Sequence, residues 1–486
     1  MRWSAAWIRL ACCASMSGVW EFDPAAAELV WSSVIQPNAG LKKAVARGRS
    51  PSTARRAVSR SSRRCAPSGN HREQRTTCYT LAMVVAWSAL ALISVVLFGN
   101  YYVYDSIGPI ADLLQRQRGF SDTEIGMLNA IYSIPNIILV LIGGLLVDRF
   151  GAARVTLWTT AICLLGAALT AWSPTFVGMA AGRLLFGIGA ETLNISCTTG
   201  VADSIGARHL ALAMGVTLGT GRLGSYSADM SPEFFAQAYA QGWQAPLVIA
   251  VIMASVSLAA ALVYWGGDRQ APAAKRESEP FVLGHLLHLG KAYWLLLLLC
   301  VFYYAVILAF RSTFSIKYFQ HAHGLSLAAA GTMNSYVFLA SIVSTPAFGW
   351  LCDRIGRYAP LLAFGAFLLP VSIAIMGATN WNLWIATALL GVSFSLVPAV
   401  MWPLAAKLVA ASRLGTALGL MFVVQNVGVA GANLVAGWLN DGAGATALHP
   451  AGYQPMMLFF GGISGLGFGC ALLLWRSAGR REQEVG

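Results

Sequence analysis

The sequence predicts an all-α polytopic membrane protein, with twelve membrane-spanning helices in two pseudo-symmetric bundles of six. Three observations carry this. Hydrophobic residues make up 57% of the 486-residue chain and charged residues only 11%, less than half the roughly 25% usual in soluble globular proteins. Beyond residue 80, twelve stretches stay apolar for about the 20 residues that a helix needs to cross a bilayer. A motif that follows the second stretch recurs after the eighth, at an offset of 205 residues. A soluble enzyme is excluded, because so little polar surface cannot keep a chain this long in water.

Residues 1–80 read as a disordered basic extension. They hold 13 of the 33 Lys and Arg against 4 of the 20 Asp and Glu, so +9 of the chain's +13 sits there. Arg and Ser dominate Gly48–Arg64, a composition that cannot bury a core. Three readings stay open for this segment. It is a basic arm for anionic lipid or nucleic acid, a targeting peptide, or an over-long gene model whose true start is Met83. The remaining 406 residues carry only +4, so the overall charge does not argue for a nucleic-acid partner and none is expected.

The spans follow at about 81–108, 122–147, 154–174, 176–203, 208–230 and 243–266, an N-terminal bundle over 81–266. The long polar stretch 267–290 is the expected cytoplasmic linker. A second bundle over 291–478 holds spans at about 291–317, 325–350, 358–378, 382–409, 414–440 and 455–476, before a tail at 479–486. With the N-terminus inside, fourteen basic residues flank the inner ends and three (Arg116, Arg118, Lys317) the outer ends. By the positive-inside rule both termini are cytoplasmic. The nine cysteines form no CxxC and no Cys/His cluster, so neither metal nor disulfide framework is expected, and no cofactor. His321 and His323 are expected in a solvated outer loop.

The repeated motif is Gly144-Leu-Leu-Val-Asp148-Arg149-Phe-Gly151, matched by Gly349-Trp-Leu-Cys-Asp353-Arg354-Ile-Gly356. At an offset of 204, Gly187, Gly215 and Gly224 map onto Gly391, Gly419 and Gly428. Two copies of GxxxDRxG at these places resemble the signature loop of the major facilitator superfamily. Within it, Tyr132-Ser-Ile-Pro-Asn136, Gly182-Arg183-Leu-Leu-Phe-Gly187 through Glu191, Gly221-Arg222-Leu-Gly224, Phe302-Tyr-Tyr304, Trp402-Pro403 and Gln425-Asn426 are similar to the lysosomal dipeptide-transporter branch and its prokaryotic relatives. The resemblance implies the major facilitator fold and alternating access. It also implies that Asp148, Arg149, Asp353 and Arg354 latch the halves on the cytoplasmic side. The first copy ends Gly151-Ala-Ala-Arg154 and lacks one basic residue of the family's pattern.

Ionisable groups inside a span are costly and mark function by default. Glu191 in helix 4 and Arg222 in helix 5 lie 15 and 16 residues from the turn at Gly206, hence both ~22–24 Å deep at ~1.5 Å per residue. One reading is a structural ion pair. The other is a zwitterion site, with Glu191 taking a substrate ammonium and Arg222 its carboxylate; substrate breaking a resting pair unites the two. Asn426 is the repeat mate of Arg222, placing a neutral group across from the guanidinium, or else a helix–helix hydrogen bond. Tyr102, Asn334 and Trp402 complete the candidate binding set. At the repeat offset Asp105 maps beside Arg311, a candidate outer-gate salt bridge; alternatively Asp105 titrates to couple protons or Arg311 snorkels. Arg183 is structural or part of a proton relay.

The leading function is a secondary carrier for a small zwitterion, a dipeptide or amino-acid-like compound, and not an enzyme. No GxxxxGK[ST] loop is present, against ATP-driven transport. The alternative in the same fold is an organic-anion or drug carrier. The family's antiporter pattern expects Gly-Pro in helix 5, whereas Gly215–Gly224 has no proline. A non-transporting sensor or scaffold is the alternative from another class, disfavoured because it has no reason to keep charges at mid-depth. The expected partners are the lipid bilayer and the small solute, with a proton as candidate co-substrate. A monomer is expected, and no accessory subunit is indicated. A bacterial inner membrane is favoured over a lysosomal or other organellar one.

Overall fold

The structure, a computed structural model, describes residues 71–205, 209–268, 289–378, 381–410 and 413–485. The extension through residue 70 and most of the linker lie outside the described residues. Among those described, twelve long helices occupy the expected positions: α1 His71–Asp105, α2 Asp122–Phe150, α3 Ala152–Trp172, α4 Phe176–Ser204, α5 Leu210–Asp229, α6 Gln244–Asp268, α7 Lys291–His323, α8 Leu327–Ile355, α9 Tyr358–Ala378, α10 Leu383–Leu408, α11 Leu414–Gly442 and α12 Gln454–Val485. α1 thus begins earlier than the expected 81. Ten of the helices are long and apolar enough to cross a membrane, and α2, bent by 62°, is an eleventh. α5 falls short because Arg222, Asp229 and several Ser and Gly residues dilute its apolar content. A membrane requires helices, since hydrocarbon offers no partner for backbone N–H and C=O groups.

Local sequence sets the helix ends. Ser121 and Glu124 form a capping box at the start of α2, each side chain accepting from the other's backbone N–H (3.1 and 2.9 Å), which satisfies two otherwise orphaned donors. Thr175, Ser326 and Asn382 cap α4, α8 and α10 one way, each side chain accepting from a backbone N–H of the first turn. The repeated motif closes α2 and α8 on Gly151 and Gly356, with φ of +86° and +68°, a region that L side chains adopt only with strain. α7 departs from regularity once, in a π-helical turn at Phe310–Phe314, and such turns cluster at functional positions.

The odd-numbered helices finish at what we call the distal end. α2 packs on α11 and α5 on α8. Lipid gives little hydrophobic drive between helices, so small residues set their approach. A Cβ at Gly126 of α2 would overlap the Asn433 carbonyl of α11, and one at Gly437 of α11 would overlap the Asp122 carbonyl. This reciprocal approach brings the polar ends of the two helices together.

Candidate functional site

Polar contacts that join the first six helices to the second six concentrate at the distal end. Arg311, in the π turn of α7, donates Nη1 to Asp105 Oδ1 of α1 at 2.8 Å and Nη2 to Asp229 Oδ2 of α5. Asn334 of α8 donates to the same Asp229 oxygen at 3.0 Å and to the Arg311 carbonyl at 3.1 Å. The face of Phe338 lies 3.8 Å beneath the guanidinium. Asp105, Asp229, Arg311 and Asn334 are each 2% exposed. Arg311 Nη1 also donates to Ser312 Oγ at 3.1 Å, and at that burial such bonds must offset the desolvation of the charges.

Further out the same polarity repeats. Lys317 is bonded to Asp122, whose other oxygen accepts from Asn440 at 3.0 Å. Asp441 of α11 accepts the backbone N–H groups of Asp122 and Thr123, both at 2.8 Å, capping α2 from the other half where an anion suits the helix dipole. His321 bridges Asp112 Oδ1 and the Tyr453 hydroxyl, both at 2.8 Å. The first half presents Asp105, Asp112, Asp122 and Asp229; the second answers with Arg311, Lys317 and His321. This corrects the expected solvated loop for His321 and His323: both belong to the last helical turns of α7, where His321, like Lys317, is buried by the approach of the halves and His323 is half-buried against Tyr318.

Arg183 of α4 is also fully buried, donating to the carbonyls of Val103, Tyr104 and Leu128 and to Asn129 Oδ1. Asn129 donates to Thr313 in the π turn, and Thr313 to Asn433 Oδ1, each at 2.7 Å. A chain of side chains thus runs from α4 through α2 and α7 to α11.

In mid-bundle the arrangement differs from the expectation. Glu191 and Arg222 form no ion pair. Arg222 instead reaches across to α8, donating Nη1 to Thr345 Oγ1 at 3.1 Å, with its guanidinium 4.9 Å over the ring of Phe394 in α10. A neutral acceptor and an aromatic face thus replace the carboxylate. Glu191 has Asn194 of its own helix as hydrogen-bonding neighbour. Tyr101 lies within electrostatic reach of both Glu191 and Arg222, against the Gly221 backbone. Tyr102 does not face this region: about 100° further round α1, it is buried near Ser231. Asn426 donates to the Phe422 carbonyl of its own helix at 3.0 Å, the back-bond open to a short polar side chain in an apolar span. Trp402 stacks on Phe422, centroids 4.7 Å apart. Asn334 belongs to the distal cluster.

Of the signature-loop residues, Asp148 is half-buried while Arg149 and Arg354 are exposed, resting over the rings of Phe150 and Trp350. Asp148 and Arg149 make no ion pair among the described residues, and the Asp353 side chain lies outside them. No group of three His, Cys, Asp or Glu that could hold a metal occurs among the described residues.

Comparison with known proteins adds kinship to this geometry. The family model described as "Major Facilitator Superfamily" matches residues 93–316 and 296–486. The lysosomal dipeptide transporter MFSD1 of Homo sapiens is 30% identical over 364 residues, covering 71% of this chain and 78% of the relative. A probable sulfoacetate transporter, SauU, of Cupriavidus necator is 23% identical over 78% of this chain and 91% of its own. Among solved structures, the nucleoside transporter NupG superposes with a TM-score of 0.64 at 13% identity, over 80% of this chain and 99% of that one, which speaks for the fold.

Proposed function

The chain belongs to the major facilitator superfamily of membrane transporters, and on that premise we propose that it carries a small zwitterionic solute, a dipeptide or amino-acid-like compound, by alternating access. It is an integral multi-pass membrane protein and a secondary transporter. The observation that carries the substrate reading is the uncommitted pair in mid-bundle. Among the described residues, Arg222 is hydrogen-bonded only by the neutral hydroxyl of Thr345, a weaker partner for a guanidinium than a carboxylate. Glu191 has no cation of its own among the described residues, and Tyr101 is near both. The dipeptide specificity of the human relative supports the same class. In alternating access, the distal cluster around Arg311 acts as the outer gate and the signature loops as the inner latch. The distal end faces away from the cytoplasm.

A second reading, an organic-anion carrier, draws on Arg222 having no carboxylate partner among the described residues. Thermal unfolding of the purified carrier separates the two, because a ligand that binds only the folded state stabilises it. Dipeptides with both termini free are expected to raise the melting temperature, and N-acetylated or C-amidated versions are not. Stabilisation by monoanions alone favours the second reading, and no response to any dipeptide overturns the first.

A further inference from the structure

The α5–α8 interface holds two hydrogen-bonded ties. Distally, Asp229 of α5 accepts from Asn334 of α8. Seven residues away on α5, ~10 Å along its axis, Arg222 donates to Thr345, which lies eleven residues and ~16 Å from Asn334 on α8. Both helices therefore couple mid-bundle to the outer gate, and they belong to opposite halves. The two ties differ in kind. The distal one joins a buried carboxylate to an amide within a charged cluster. The inner one joins a guanidinium to a single neutral hydroxyl, beside Pro346, whose missing N–H leaves α8 one backbone bond short.

We propose that Thr345 is a positioning residue whose hydroxyl occupies, in the empty carrier, the place on Arg222 that a substrate carboxylate takes. The proposal rests on Arg222 being the carboxylate site. A carboxylate outcompetes a hydroxyl for a guanidinium, since charge-assisted bonds are roughly twice as strong as those to neutral acceptors. Phe394 holds the guanidinium plane, so the exchange needs no large movement of Arg222. Substrate binding then replaces a bond between the halves by a bond to the solute. The inner tie of α5 to α8 is released only when the site is filled, and the empty carrier stays tied.

The test compares Thr345→Val, nearly equal in shape but without the acceptor, with Thr345→Ser, which keeps it. The full-length carrier in proteoliposomes takes up labelled alanyl-alanine, and hydrogen–deuterium exchange is followed in the middle of α5 and α8. Thr345→Val is expected to lower the KM for alanyl-alanine about 3- to 10-fold, the weight of one net hydrogen bond, and to leave kcat less affected. It should also raise exchange in both helices without substrate, to the level that saturating alanyl-alanine produces in wild type. Thr345→Ser should match wild type in both. The proposal is overturned if Thr345→Val leaves KM and exchange at wild-type values, or if Thr345→Ser behaves like Thr345→Val. If wild type takes up no alanyl-alanine, the zwitterion reading fails. The exchange data then decide the tie alone: no rise in Thr345→Val overturns it.

Discussion

Replacing Arg311 by Gln is expected to abolish transport and to lower the melting temperature of the carrier. The substitution strands Asp105 and Asp229, both 2% exposed, without the cation they share. Removing one partner of a buried ion pair costs about 3–5 kcal/mol. Against the distally closed arrangement, that is a population shift of roughly a hundredfold or more. The individual carboxylates should rank below Arg311. Asp105→Asn leaves the Arg311–Asp229 bond in place. Asp229→Asn neutralises a carboxylate that serves both Arg311 and Asn334, so it should be the more damaging of the two. Uptake assays and thermal unfolding on the three variants check the order. Wild-type transport by Arg311→Gln would remove the outer gate from the mechanism.

The second large effect concerns the mid-bundle charges. Arg222→Ala is expected to lower uptake of any carboxylate-bearing substrate at least about tenfold, the loss of one charge-assisted bond of roughly 1.5–3 kcal/mol. Glu191→Gln should do so only for substrates that carry an ammonium. The asymmetry matters because the two residues do not contact each other. If they were a structural ion pair, each substitution would fail for the same reason and for every solute. If the carrier takes simple anions, Glu191→Gln should transport like wild type. Uptake of a dipeptide and of an organic monoanion by both variants separates these outcomes.

The architecture was legible in sequence because hydropathy over 20 residues answers to one physical constraint, the unpartnered backbone in hydrocarbon. All twelve helices stand where apolar runs placed them. The approach of Arg311 to Asp105 was also legible, from the repeat alone. Asp229 was missed, although it lies within the expected span at 208–230 and is, like Arg222, an ionisable group inside a span. The rest was hidden for particular reasons. Asp112, Asp122, Lys317 and His321 sit at span ends, where charge is ordinary, and only the meeting of two halves distant in sequence buries them. Thr345 has no charge, so no argument from ionisable groups in a membrane selects it. Choosing Tyr101 over Tyr102 required the rotation of α1 about its axis, which an almost uniformly apolar helix does not reveal.

The acidic face of one half against the basic face of the other gives the distal closure specificity as well as strength. Arg311 holds Asp105 and Asp229, Lys317 holds Asp122 and His321 holds Asp112, so a slip of one turn would leave charges buried and unpaired. The proposed substrate pair, Glu191 and Arg222, by contrast lies apart and lightly engaged, as groups that must exchange partners require.

We propose that Glu191 and Arg222 together select a solute with both a free ammonium and a free carboxylate. That selection is tested most directly by uptake of labelled alanyl-alanine into proteoliposomes, beside its N-acetyl and C-amide derivatives. Saturable uptake of the free dipeptide is expected, with uptake at least about tenfold lower for each blocked form, since each loses a charge-assisted bond. Equal uptake of the free and blocked forms, or no uptake of any of them beside clear uptake of an organic monoanion, would contradict it.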